Sequence, residues 1–218
     1  MEIFQIPTEL QSFVNTYDKK SYQIWNDEKN NDVNSFRTLI RNHYLSDQKF
    51  TCFYCRQYIF STNGLHWQVE HILPKSIFPQ FLFEPRNLII ICPDCNREKS
   101  DQNPHVEGER ACNRPNYPRT SSRFKIIHPL FDNYEEHIER VPANHCEYPD
   151  HYFLKAHTQK GKATVRMCYL DRFTQEFAGY KDMRGKQVES LDVFLERDLN
   201  ALTKEQKKAL VQRIMDSM

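Results

Sequence analysis

Apolar side chains recur at helical spacing twice near the start of the chain. Between residues 8 and 29 they fall at Leu10, Phe13, Val14, Tyr17, Tyr22, Ile24 and Trp25 among polar neighbours. Thr8 stands where an N-cap would, so the pattern predicts one or two amphipathic helices. Val33, Phe36, Leu39, Ile40 and Tyr44 repeat the spacing and predict another helix over 33–45, with His43 on its face. The period then shortens. Leu65 to Val69 alternates and reads as a strand, with Glu70 and His71 at its tip and Pro74 ending regular structure. Asn87 opens an unbroken apolar run, Leu88 to Ile91. Residues 101–123, rich in Pro, Asn, Arg and Ser, predict a long loop. Tyr152, Leu154 and Ala156 face Ala163, Val165, Met167 and Tyr169 across Lys160-Gly161, which predicts a hairpin. Leu191, Phe194, Leu195, Leu199 and Leu202, then Leu210, Ile214 and Met215, predict two closing helices over 190–217, the second opened by a Thr203–Gln206 capping box.

The elements divide into an N-terminal helical region (1–50), a central unit (51–127) and a C-terminal α+β extension (128–218). With 39% apolar and 13% aromatic residues, the 218-residue chain has an aromatic-rich core of modest size. A net charge of +1 says nothing about partners. No apolar run reaches the ~18 residues of a membrane span, and residues 2–14 are unlike a signal peptide, so the expected location is the cytoplasm. Seven cysteines argue against a fully paired disulfide framework. Cys52 with Cys55 and Cys92 with Cys95 form two CxxC pairs, and each such knuckle aims two sulfurs at one point. Together they predict a structural zinc held by four thiolates. Cys112, Cys146 and Cys168 lack that spacing and read as ordinary thiols.

Between the knuckles lie QVEHILPKS (68–76) and Asn87, and the second knuckle runs on as CPDCNREKS. Here the chain resembles the HNH nuclease family, whose ββα-metal unit is a short hairpin followed by a helix. The resemblance implies an α+β fold: a zinc-stapled ββα-metal core with N-terminal helices and a C-terminal hairpin plus helices. It implies metal-dependent phosphodiester hydrolysis in nucleic acid, DNA favoured and RNA possible. In that scheme His71 is the general base, since a neutral imidazole accepts a proton near pH 7. Glu70 and the amide oxygen of Asn96 hold a catalytic magnesium or manganese ion, which prefers oxygen ligands. Asn87 holds the His71 ring in orientation. Asn96 replaces the third histidine that names the family, and Glu70 replaces the commoner Asp; His66 is a spectator.

Lys75 and Lys99 are expected to contact phosphates near the scissile bond. Arg110, Arg114, Arg119, Arg123 and Lys125, interleaved with Tyr117 and Phe124, form a basic segment suited to backbone contacts and base stacking. Further on, FKIIHPLFDNYEEHI and GKATVRMCYLDR resemble the tails of HNH proteins from ATPase-linked antiphage operons, the Septu and related retron systems. That resemblance implies a defence effector with an ATPase partner. His128 and His137 read as buried structural histidines. Two rival readings are a zinc-ribbon module that binds nucleic acid without cutting it, and an interaction subunit that docks a partner through its last helices.

Overall fold

The computed structural model describes residues 1–142 and 152–172. Cys146 and the two helices expected over 190–217 lie outside the described residues. Helix α1 (Thr8–Thr16) starts after Pro7, so Thr8 is its first residue rather than its cap, and a short 3-10 turn at Tyr22–Asn26 follows it. Helix α2 (Asn31–Asp47) begins two residues before the apolar pattern does, because Asn30 caps it and accepts a hydrogen bond from Val33 N–H at 3.1 Å. Val33, Phe36, Ile40 and Tyr44 form its buried face. That face packs on a two-stranded antiparallel sheet, β1 (Gln68–His71) and β2 (Leu88–Ile91).

The register sets Gln68 opposite Ile91 and His71 opposite Leu88. The strand starts later than the alternation suggests. Residues 63–66 form a turn in which Asn63 accepts from Leu65 N–H through its side chain and from His66 N–H through its carbonyl. Leu65 is therefore exposed, and Glu70 and His71 are the last two residues of β1, at its tip as expected. All four residues of β2 are buried, which is why its sequence is apolar without alternation. Gln48, at the end of α2, satisfies its outer edge: Nε2 donates to Ile90 O at 2.8 Å and Oε1 accepts from Ile90 N–H at 3.1 Å. Helix α3 (Pro93–Lys99) follows directly and completes a ββα unit.

Further along, β3 (Ile138–Pro142) pairs antiparallel with β4 (Tyr152–Ala156), and α4 spans Gln159–Met167. This corrects the hairpin expected across Lys160-Gly161: β4 pairs backwards with β3, and 159–167 is helical. Thr158 caps the helix by accepting from Gly161 N–H at 3.0 Å. Gly161, Thr164, Val165 and Cys168 then share a buried face at helical spacing. A Cβ on Gly161 would lie 2.3 Å from the His137 carbonyl oxygen, so the helix sits flush against the start of β3. The described residues are thus mixed helices and small antiparallel sheets. None of their helices is long and apolar enough to cross a membrane.

Candidate active site

The two knuckles meet where the ββα unit begins. The Sγ atoms of Cys52, Cys55, Cys92 and Cys95 all lie within 4.8 Å of one another, and all four residues are buried. Cys55 and Cys92 sulfurs are 3.8 Å apart, the edge length of a tetrahedron with bonds of about 2.3 Å to zinc. Hydrogen bonds within the cluster, those with Cys52 foremost, hold the Cys92 thiol far below its usual range and push Cys55 and Cys95 up. A cation that takes all four as thiolates removes that conflict. The donor set therefore fits a metal such as zinc. Backbone groups pre-shape the cluster as well: Cys92 N–H donates to Cys52 Sγ at 3.3 Å, and Cys95 N–H to Cys92 Sγ at 3.5 Å.

Beside it, a cleft of about 530 Å³ is lined by Gln68, Glu70 and His71 of β1, Lys75 after it, and Asn96 of α3. His71 is only 5% exposed. Its Nε2 lies 3.1 Å from the Leu82 carbonyl. A carbonyl can only accept, so Nε2 carries the proton and Nδ1 is left with its lone pair. The Trp25 ring packs edge-on against the imidazole at 4.5 Å and 80°. Burial first, then the Lys75 charge, lowers the pKa of His71 to about 3, so the ring is neutral at physiological pH.

Glu70 is equally buried, and burial raises its pKa, an effect only partly offset by Lys99. Lys99 Nζ stands 2.5 Å from Glu70 Oε1 and donates to His71 O at 3.2 Å. The pair is out of solvent on both sides, with Lys99 fully buried and Glu70 4% exposed. The Asn96 amide nitrogen donates to Gln68 Oε1, which leaves the Asn96 oxygen as the free end of the group. A buried carboxylate and a free amide oxygen on one cleft are a donor set that fits a hard divalent ion, which would compete with Lys99 for Glu70.

Three expectations change. Lys99 is fully buried against Glu70, which withdraws it from phosphate contacts. The Asn87 side chain makes no hydrogen bond to His71. Its Oδ1 accepts from Leu73 N–H at 2.7 Å, and its Nδ2 donates to Leu73 O at 3.1 Å and Phe81 O at 3.2 Å. It clamps both ends of the 72–87 connection and so fixes Leu82, whose carbonyl holds the ring. The basic segment also lies elsewhere. Arg114, Arg119 and Arg123 line a separate hollow with His105. Arg114 is 2.5 Å from Glu107, and Arg123 pairs with the same carboxylate. Tyr117 and Phe124 are buried, with Tyr117 Oη 3.0 Å from His128 Nε2, so neither is placed to stack on a base. His128 is fully buried as expected, whereas His137 is only half-buried, with its Nδ1 2.8 Å from Thr158 Oγ1.

The patterning of the chain had no signature for Leu82, whose contribution is a backbone oxygen. Trp25 read as one more apolar helix position, and Gln68 as an ordinary strand residue.

This ββα unit with its cysteine cluster has the parts of an HNH nuclease domain, and residues 52–102 match the family model described as HNH endonuclease. Over 145 residues the chain is 26% identical to "Septu protein PtuB" from Bacillus thuringiensis, a match that takes in 66% of this chain and 46% of that protein. The chain thus spans less than half the length of that relative. No solved structure matches it.

Proposed function

We propose that this chain is a metal-dependent endonuclease that hydrolyses phosphodiester bonds, with DNA the favoured substrate and RNA the alternative. The observation that carries this reading is His71: its protonated nitrogen is tied to Leu82 O, so Nδ1 is left as a proton acceptor on the same cleft as the Glu70 and Asn96 oxygens. His71 Nδ1 takes the proton of the attacking water. Leu82 and Trp25 keep the ring from turning, and the Asn87 clamp keeps Leu82 in place. Glu70 and Asn96 would hold a divalent ion, which would supply positive charge against the negative charge that builds on the phosphate and the leaving oxygen. An incoming phosphate, being anionic, raises the basicity of His71 above its resting value. Lys75, half-buried on the cleft, meets the backbone. Zinc at the four cysteines has a structural role, since four protein ligands leave no open position. The likeness to the Septu protein and the phrasing of the tail support a cytoplasmic antiphage effector that works with an ATPase.

The buried Lys99–Glu70 pair favours a second reading, in which the lysine takes the place of a catalytic ion and the module binds nucleic acid without cutting it. One experiment separates the two. The purified full chain, with and without the product of its genomic neighbour, is incubated with plasmid and with total RNA in magnesium or manganese. Metal-dependent cutting that His71→Ala abolishes supports the nuclease. Binding without cutting under every condition establishes the second reading.

A further inference from the structure

Two arginines of α2 reach the candidate catalytic cleft. Arg37 and Arg41 stand four residues apart, so they share one face of the helix, and both line the cleft with Glu70, His71 and Asn96. Their chain neighbours Phe36 and Ile40 are fully buried against the core. The arginines therefore sit at the rim of the packed face, on a rigid element.

Like charges so placed repel, and a folded protein commonly relieves this with carboxylates. Among the described residues neither arginine forms an ion pair. Arg97, on the same cleft, is neutralised by Asp94 at 3.1 Å and Glu98 at 3.0 Å. Of the carboxylates lining the cleft, Glu70 is engaged by Lys99, and Asp101 is exposed. Arg41 is also partly desolvated: its Nε is buried with no hydrogen-bond partner. The turn after Ser61 closes on it, so that a Cβ on Gly64 would lie 3.2 Å from its Cζ and Nη1. Burial, then the nearby charge of Arg37, disfavours the Arg41 cation. An anion on the cleft would cancel the repulsion between the two guanidinium groups.

We infer that Arg37 and Arg41 form a clamp for a backbone phosphate of the nucleic acid, next to the one cleaved at His71. Guanidinium groups grip phosphates through paired, charge-assisted hydrogen bonds, strongest where water is partly excluded. The contact carries no base information, so it positions the strand without selecting sequence. This inference rests on the nuclease reading for its substrate and adds to it the element that holds the strand.

The test uses the full chain as wild type, as the double variant Arg37→Ala/Arg41→Ala, and as Arg37→Lys/Arg41→Lys. Binding to a labelled DNA duplex is followed against salt, with calcium in place of magnesium. Hydrolysis is followed on plasmid and on bis(para-nitrophenyl) phosphate, a small diester with no neighbouring phosphate. The alanine pair is expected to bind DNA about tenfold or more weakly. Its log-log salt slope should be shallower by about one. Its KM should rise on plasmid by a larger factor than on the small diester. The lysine pair should keep the slope and recover part of the affinity. Wild-type affinity and slope in the alanine pair overturn the clamp, as does equal loss on both substrates. If the wild type binds but cuts neither substrate, the nuclease reading fails while the slope still decides the clamp. A wild type that does not bind DNA overturns the clamp outright.

Discussion

His71 shows how far a single residue departs from its motif. As a strand-tip base it would be dispensable to folding, but the ring is buried against Trp25 and donates to Leu82 O. His71→Ala is therefore expected to lose about 100- to 10,000-fold in cleavage and also to lower stability. It leaves a cavity and an unpartnered buried carbonyl, the latter worth about 1–3 kcal/mol. Cleavage should be measured well below the lowered thermal midpoint, and a rate equal to wild type there would remove His71 from the mechanism. Lys99 makes the second case. Removing one member of a buried pair strands the other charge, at a cost of about 3–5 kcal/mol. Lys99→Ala should thus be strongly destabilising in urea unfolding, and Glu70→Gln in the same chain should restore much of the loss. Additive effects of the two changes would show that the pair is uncoupled. The sequence makes Glu70, His71 and Asn96 legible as candidates because residue types suited to the proposed chemistry stand at recognisable spacing. It cannot show that Lys99, one turn after Asn96 on α3, faces inward, since a lysine is usually a solvated residue.

Among the elements, β1, β2 and α3 follow from local signals: the apolar run Leu88–Ile91 and the two CxxC knuckles bracket the unit. Helix α4 does not, because Ala163, Val165 and Met167 alternate by chance. What decides it is the Thr158 cap and the glycine that fits under the His137 carbonyl, and the second of these is a tertiary contact. The ββα unit is small, so its connections are fastened from outside its own sheet. Cys52→Ser should lower the zinc content from about one per chain and reduce the soluble yield, because ligand loss removes folding free energy. Elemental analysis beside a circular-dichroism melt checks both; a zinc-free variant with the wild-type melt would make the cluster dispensable. Asn87→Ala tests the other fastening. It orphans Leu73 N–H and leaves the carbonyls of Leu73 and Phe81 without its amide, so it should lose stability together with cleavage, while DNA binding by protein kept below its melting temperature persists.

At the scale of the molecule, legibility ends where segments distant in sequence must be placed together. The basic residues 110–125 look like the nucleic-acid surface from their order alone. Folding pairs two of them with Glu107, outside that segment, and brings α2 to the His71 cleft instead. Folding also buries a second imidazole, His128, beyond the ββα unit, held between Tyr117 Oη and the Leu130 N–H. Desolvation is the leading cause that lowers both His71 and His128 to about 3. In the unfolded chain each titrates near 6.5. Below that value the unfolded chain binds more protons than the native one, so the stability these rings contribute is fully present above about pH 6.5 and is lost as the pH falls toward 3. Each can add a slope of up to about 1.4 kcal/mol per pH unit within that window. Glu70 acts in the opposite sense, because its pKa is raised: the stability it contributes is present below its unfolded value and is lost as the pH rises through its native one. Urea midpoints at pH 7, 6 and 5 should therefore fall with acidity, as the contribution of two rings outweighs that of one carboxyl. His128→Asn should be less stable at pH 7 yet fall less steeply than wild type, since one of the two neutral imidazoles has gone. Parallel slopes for wild type and variant would mean that His128 already binds its proton in the native state, against the burial that defines it here.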